Sequence, residues 1–158
     1  MYAPALLVAA LGAVAVNANI ADLGVPSTIK SGDTFNILGH QTIGQGYGEV
    51  SIIFGIQHAE GAIYPDALGD VFAGPYSLPA WNDVSFGSGG YNVTIPNVSL
   101  SYADGPAVVR AAVLGLAGVY KSMSLTTYSI DTTIGASTST DYVYTDIFHR
   151  GASCTWQS

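Results

Sequence analysis

Apolar and polar residues alternate with a period of two in several short stretches of this chain. Phe35 and Ile37 alternate with Thr34 and Asn36, and the stretch GEVSIIFGIQ repeats the pattern. A period of two is typical of β-strands that bury one face. Turn signals separate these stretches, and 19 of the 158 residues are glycine. The pattern predicts an all-β, immunoglobulin-like antiparallel β-sandwich of about seven strands.

The same alternation predicts which side chains face the core. The inward-facing residues are expected to be Val50, Ile52, Phe54, Tyr91, Val93, Ile95, Tyr128 and Ile130. The stretch DVFAGPYSL contains Pro75, which cannot donate a hydrogen bond to a neighbouring strand. This stretch is therefore predicted to be an edge strand.

The segment AVVRAAVLGLAGVYKS is compatible with two structures. Its alanine and leucine content suits a helix, but Gly115 and Gly118 each weaken a helix by about 1 kcal/mol. A central strand that is buried on both faces also appears as a continuous apolar run. Because strands are predicted on either side, we favour a strand over residues 107–119.

The stretch GVPSTIKSGDTFNI, residues 24–37, has the properties of a corner between strands. Pro26 ends an extended segment, and Gly32 occupies the third position of a turn, where a type II turn needs a positive φ. Lys30 and Asp33 flank the turn, and no further charged or nucleophilic group lies nearby in the sequence to make a site with them, so the corner is predicted to be scaffold.

Residues 1–18 have the properties of a secretory signal peptide. An apolar run of about 12 residues suits the hydrophobic region of such a signal and is too short to span a bilayer. Val16 and Ala18 are small enough for a cleavage site, so the mature chain is predicted to begin at Asn19. We expect a β-sandwich domain over residues 19–135, followed by a tail, and a secreted protein.

The net charge of −7 excludes some partners. Only four basic residues are present and they are scattered, so a phosphate-binding patch cannot form and no nucleic-acid partner is expected. Membrane insertion is not expected either. Cys154 is the only cysteine, which leaves a free thiol or a bridge between chains as alternatives. Asn92 and Asn97 each begin a glycosylation sequon, and we expect at least one of them to carry a glycan.

Catalytic and cofactor motifs were sought and none fits. His40, His58 and His149 lack metal-ligand spacing, and the position of Cys154 does not suit a blue-copper site. Four carboxylates could supply a glycosidase pair, but all lie in or beside predicted loops, where carboxylates usually face water: Glu49, Glu60, Asp66 and Asp70. We therefore expect no cofactor, no metal and no enzymatic activity.

The tail, residues 136–158, is rich in serine and threonine and is expected to be poorly anchored. It also carries four aromatic residues that suit an interface: Tyr142, Tyr144, Phe148 and Trp156. The alternation in DYVYTDIF suits an extra strand, docked either on the chain's own sheet or on a partner's sheet. The hypothesis is that the tail contributes to partner binding while the core folds without it.

Several stretches resemble the necrosis-inducing secreted protein family of fungal plant effectors, over about residues 20–135. They are IADLGVPSTIKSGDTFNI, VSIIFGI, YPDALG, AGPYSL, YNVTIP and YSIDTTIG. The most specific is the corner Pro-x-x-Ile-Lys-x-Gly-Asp-x-Phe, residues 26–35. Between Leu38 and Gly48 the sequence is glycine-rich where the family is expected to be polar, so a function of that loop cannot be carried over.

The resemblance implies a non-enzymatic effector of the apoplast and host cell. It implies suppression of pattern-triggered immunity by binding and inhibiting two host kinases, the co-receptor of surface pattern receptors and its cytoplasmic relay kinase, and an ability to provoke host cell death. The alternative is an apoplastic carbohydrate- or wall-binding module, since loops such as residues 76–81 carry aromatic rings suited to sugar stacking.

Overall fold

The computed structural model describes residues 18–43, 47–60, 64, 67–78, 85–86, 92–117, 120, 122–145 and 154–155. Within these ranges the chain contains no helix and forms eleven strands. The strands are β1 (Ala18–Pro26), β2 (Thr28–Lys30), β3 (Thr34–Ile43), β4 (Tyr47–His58), β5 (Asp70–Ser77), β6 (Ser85–Phe86), β7 (Asn92–Ser99), β8 (Gly105–Ala117), β9 (Ser122–Gly135), β10 (Tyr142–Tyr144) and β11 (Cys154–Thr155).

The strands form two packed sheets. The first has the order β10-β1-β3-β7-β6, and the second has the order β11-β9-β8-β4-β5 with β2 beside β9. Without β2, β10 and β11, the two sheets have the strand order A-B-E-D and G-F-C-C′ of an immunoglobulin sandwich. The predicted fold is therefore confirmed, and the strands beyond about seven are mostly short additions at the edges.

The corner over residues 24–37 moves the chain from one sheet to the other. β1 pairs in the first sheet, whereas β2 pairs with β9 in the second sheet, and this pair is parallel. The turn that follows is closed by a 3.0 Å hydrogen bond from Asp33 N–H to Lys30 O, and Gly32 has a φ of 86°. The segment is a corner between strands, as predicted, and its parallel strand pair departs from a purely antiparallel sandwich.

The segment that was compatible with either a helix or a strand forms the strand β8. β8 lies between β9 and β4 in the centre of the second sheet. Along it Val109, Ala111 and Val113 are fully buried, and Val108 and Arg110 on the alternate face are buried too. Burial on both faces explains the continuous apolar run. β5, which contains Pro75, lies at the edge of the same sheet, as predicted.

One core joins the two sheets, and its members lie between Ile20 and Ile134 in the chain. Of the eight side chains predicted to face inward, five are buried: Ile52, Phe54, Ile95, Tyr128 and Ile130. The side chains of Tyr91 and Val93 lie outside the described residues. Val50 is only half-buried.

A β-bulge explains the position of Val50. The register between β4 and β8 shifts between Glu49 and Ser51, and a bulge changes which side chains of a strand face the core. Glu49, expected to face water, is instead 6% exposed, and its Oε1 accepts a 2.9 Å hydrogen bond from Ile20 N–H. The expectation of a solvated Glu49 is therefore wrong.

No helix in the part of the chain that the structure describes could cross a membrane.

Candidate partner-binding surface

β10 brings two of the four predicted interface residues onto the outside of the first sheet. It pairs antiparallel with β1, with Tyr144 opposite Gly24 and Tyr142 opposite Pro26. Thr145 N–H donates to Leu23 O at 2.8 Å, and Leu23 N–H donates to Thr145 Oγ1 at 3.1 Å. These bonds place the two tyrosines on a fixed edge strand.

Gly24 makes room for the ring of Tyr144. A Cβ at position 24 would lie 2.5 Å from Tyr144 Cε1, which is inside van der Waals contact. The ring therefore lies directly against the β1 backbone. The residue remains 43% exposed, so a partner can still contact it.

Tyr142 is held more firmly than Tyr144. Its hydroxyl donates a 3.2 Å hydrogen bond to Asn36 O on β3, and its ring centroid lies 6.4 Å from that of Tyr144. Partial burial raises the pKa of the Tyr142 phenol above its ordinary value of 10.0. The nearby Tyr144 adds to this rise, while the bond to Asn36 opposes it.

A histidine and a carboxylate extend the aromatic pair across the sheet. The ring of His40 on β3 stacks on Tyr144, with centroids 5.7 Å apart and planes 29° apart. His40 Nδ1 lies 2.6 Å from Asp22 Oδ1 on β1, and the His40 side chain is 49% exposed. When the imidazole is protonated, this contact is an ion pair.

We call these residues the tyrosine–histidine surface: Asp22, Asn36, His40, Tyr142 and Tyr144. It presents aromatic rings, phenol hydroxyls and an imidazole on a β-sheet face. Tyrosine buries a large area at a small loss of rotamer freedom, and it is enriched among residues that dominate binding energy. The arrangement is suited to binding a protein or a sugar.

The structure also shows how the tail is attached. Thr138 Oγ1 accepts from Lys30 N–H at 3.0 Å and donates to Asp33 Oδ2 at 2.9 Å. Asp141 O accepts from Ser27 N–H at 2.8 Å. The expectation of a poorly anchored tail is wrong for residues 138–145, because these bonds tie it to the corner and to β1.

The other tail predictions concern residues that follow Thr145 in the chain. Phe148 and Trp156 lie outside the described residues. β11, which contains Cys154, pairs with β9 on the second sheet, with Cys154 opposite Leu125. The structure thus docks two tail strands on the chain's own sheets, and partner binding by the tail stays a prediction.

The two sequons lie on β7. Asn97 is exposed and sits at a bulge with a φ of 58°, where its N–H donates to Asn36 Oδ1 at 3.3 Å. The backbone of Asn92 is opposite His40, and its side chain lies outside the described residues. Asn97 is therefore accessible to modification, and glycosylation at either position stays a prediction.

The four carboxylates considered for catalysis are not all described at one site. Glu60 and Asp70 line an open cleft of about 250 Å³ beside β4, together with His58, Tyr64 and Tyr102. Glu49 is buried elsewhere against β1, and Asp66 lies outside the described residues. The described part of the chain contains no group of three or more histidine, cysteine or acidic side chains that could hold a metal ion.

His40 and Asp22 are members of the surface that the sequence did not reveal. They are 18 residues apart, and each by itself is an ordinary polar residue. The signal that could have found them is the pairing of β1 with β3 through the corner, which places Asp22 opposite His40. That register depends on a bulge between Ile20 and Asp22, and no pattern in the sequence predicted this bulge.

The fold and this surface define the class of the molecule. It is a single immunoglobulin-like sandwich whose candidate site is an exposed aromatic face on a sheet. The profile of the Nis1 family matches residues 16–133, which is most of the chain. The chain belongs to the Nis1 family, and the resemblance found in the sequence is confirmed. β10 lies beyond the matched segment.

Two relatives carry the name necrosis-inducing secreted protein 1. The protein from Colletotrichum orbiculare is 28% identical over 144 residues, which cover 88% of this chain and 83% of the relative. The protein from Colletotrichum higginsianum is 32% identical over 145 residues, which cover 88% of this chain and 94% of the relative. The similarity thus extends over most of each relative.

Proposed function

We propose that this chain is a secreted fungal effector that suppresses plant pattern-triggered immunity by binding and inhibiting host immune kinases. Its partners would be the co-receptor of surface pattern receptors and its cytoplasmic relay kinase. Family membership supports the effector class, and the word "secreted" in the names of the relatives supports export through the predicted signal peptide. The term necrosis-inducing in the same names supports an ability of this chain to provoke host cell death.

The observation that carries the binding proposal is the tyrosine pair on β10. Tyr144 is 43% exposed on a strand whose ends are bonded to β1, so little conformational entropy is lost when a partner covers it. His40 and Asp22 add polar groups beside the rings, as at the edge of many protein interfaces. We place the kinase-binding surface here.

The test is a pull-down of the mature chain, residues 19–158, with the kinase domains of plant receptor kinases and their cytoplasmic relay kinase. Replacing both Tyr142 and Tyr144 by alanine should lower the affinity at least about tenfold, since two aromatic anchors, one half-buried and one exposed, contribute about 1–2 kcal/mol or more together. The matched control is Tyr120→Ala, because Tyr120 is 94% exposed on the turn between β8 and β9. Equal binding by the double variant and the control would refute the placement, and no binding by the unmodified chain would refute the kinase proposal.

A second candidate function is carbohydrate binding, and the cleft beside β4 favours it. Tyr64 is 66% exposed, and the rings of His58 and Tyr102 lie 4.5 Å apart in the same cleft. Of the loop suggested by the sequence, Tyr76 packs against Phe54 at 6.5 Å and Trp81 lies outside the described residues. Retention on chitin or cellulose that is lost in Tyr64→Ala, without kinase binding, would establish this function instead.

A further inference from the structure

The pairing of β10 with β1 determines which main-chain groups of β10 point away from the sheet. Among the residues that the structure describes, β10 is the last strand of the first sheet on the β1 side. At the two ends of the pair, Thr145 N–H donates to Leu23 O, and Ser27 N–H donates to Asp141 O, both at 2.8 Å. The main-chain groups that Asp141 and Thr145 use in these bonds therefore point toward β1.

The residues between these two ends follow the alternation of an antiparallel pair. The N–H and C=O of successive residues point in turn toward the partner strand and away from it. Val143, opposite Val25, therefore points its main-chain groups toward β1. Tyr142 and Tyr144 point theirs to the outer edge of the sheet. Two N–H donors and two C=O acceptors thus form a row along this edge, with about 7 Å between the two residues.

The side chains of the two tyrosines extend the other way, over the sheet. The ring of Tyr144 lies against the backbone of Gly24 on β1 and stacks on His40 of β3. The hydroxyl of Tyr142 also reaches β3, where it donates to Asn36 O. Both side chains therefore leave the main-chain groups at the outer edge uncovered.

An edge of the second sheet differs from this edge. β5 contains Pro75, which has no N–H, and its register with β4 shifts between Ile52 and Phe54 and again between Phe54 and Gly55. Prolines and bulges keep an edge strand from pairing with another chain. β10 contains no proline, and its register with β1 has no shift. The edge of β10 is therefore suited to pairing with a further strand.

We propose that β10 binds its protein partner by accepting an extended segment of that partner as an additional strand of the first sheet. Donors and acceptors at strand spacing match another extended main chain, and strand addition takes its affinity from such main-chain bonds. The segment is expected to be neutral or basic, because Asp141 directly precedes β10 and the chain has a net charge of −7. The same net charge opposes pairing with a second copy of this chain.

This inference rests on the proposed function, since it states how the partner kinase is held. Its test compares Tyr144→Pro with Tyr144→Ala in the mature chain. Both variants lose the ring, but only proline also removes the outward N–H, and proline is compatible with an edge strand. The affinity for the kinase domain should be at least about threefold lower for Tyr144→Pro than for Tyr144→Ala, as expected for one lost hydrogen bond.

Val143→Pro is the matched structural control, because it removes an N–H that points toward β1. It should lower the melting temperature, whereas Tyr144→Pro should melt close to Tyr144→Ala. Equal kinase affinities of Tyr144→Pro and Tyr144→Ala would overturn strand addition and leave kinase binding by the unmodified chain intact. No kinase binding by the unmodified chain would overturn the proposed function and this inference together.

A second measurement needs no variant. Amide hydrogen exchange in the free chain should be slow at Val143 and Thr145, which face β1, and fast at Tyr142 and Tyr144. Addition of the kinase domain should slow exchange at the two tyrosines several-fold. Slow exchange of the tyrosine amides in the free chain, or no change with a kinase domain that binds, would overturn the proposal. Protection that rises with the concentration of the chain alone would identify a second copy as the occupant and overturn it as well.

Discussion

Two glycines show how the surroundings of a single residue decide its tolerance to change. A Cβ on Gly24 would meet ring atoms of Tyr144, which is a partly exposed side chain on the surface. A Cβ on Gly55, in β4, would instead meet the backbone carbonyl of Leu68. Side chains can rotate away from a new methyl group, whereas a packed backbone resists displacement.

Gly55→Ala is therefore expected to lower the free energy of unfolding by about 1–3 kcal/mol, the usual cost of overpacking. Gly24→Ala should cost less in stability and more in partner binding, because it moves the Tyr144 ring. Denaturant unfolding measures the first effect, and the kinase pull-down measures the second. A larger stability loss in Gly24→Ala than in Gly55→Ala would contradict this explanation.

The phenol of Tyr142 gives a prediction for alkaline pH. Burial raises its pKa in the folded protein above 10.0, so the folded state favours the neutral phenol. The resulting stability is fully present below the pKa of the unfolded chain and is lost as the pH rises through the higher folded value. When the pH rises from below to above about 10, the free energy of unfolding should therefore fall less in Tyr142→Phe than in the unmodified chain. Parallel pH profiles of the two proteins would show that Tyr142 does not contribute.

At the scale of elements, β10 is an addition to a sandwich that is complete without it. The buried core lies between Ile20 and Ile134, and only the half-buried Val143 contributes from β10. Thr145, the residue directly after the strand, nevertheless provides an acceptor for the buried Leu23 N–H through its Oγ1. It also pairs with β1, which would otherwise be an edge strand of the first sheet.

A chain that ends at Gly135 should consequently still unfold cooperatively, with a free energy of unfolding lower by about 2–4 kcal/mol. That range corresponds to the loss of a few backbone hydrogen bonds at about 1 kcal/mol each. A chain that ends at Asp146 retains β10 and is the matched control, so it should keep most of this stability. Loss of a cooperative transition in the shorter chain would mean that β10 is part of the core.

At the scale of the whole molecule, stability depends on packing between the sheets. Immunoglobulin domains often carry a disulfide between their sheets, but this chain has only Cys154 and cannot form an internal bridge. The centre of the core is occupied by Phe54, which is fully buried and lies 6.4 Å from Phe72 and 6.5 Å from Tyr76.

Phe54→Ala should therefore lower the free energy of unfolding by about 3–5 kcal/mol, the range for removal of a buried aromatic ring. A reducing agent should leave the melting temperature of the unmodified chain unchanged, and Cys154→Ser should behave likewise. A melting temperature that falls on reduction would show that a bridge between chains contributes to stability.

The sequence by itself determined the fold class, the corner and most of the core. These properties follow from local chemistry, because a period of two, a glycine at a turn position and a proline within a strand each act over a few residues. This explains why Phe54, Ile95 and Tyr128 were predicted correctly and why Pro75 indicated an edge. Tyr142 and Tyr144 were predicted as interface residues because their aromatic rings stand out in a polar tail.

Only the tertiary structure decided where the tail docks and which residues surround its tyrosines. The strand pairing that joins His40, Asp22 and Tyr144 links residues far apart in the chain, and its register depends on a bulge in β1. The burial of Glu49 depends in the same way on a bulge in β4. A one-residue shift in register turns a side chain to the opposite face of the sheet. The energies that select a bulge come from packing across the sandwich, so local sequence patterns could not reveal it.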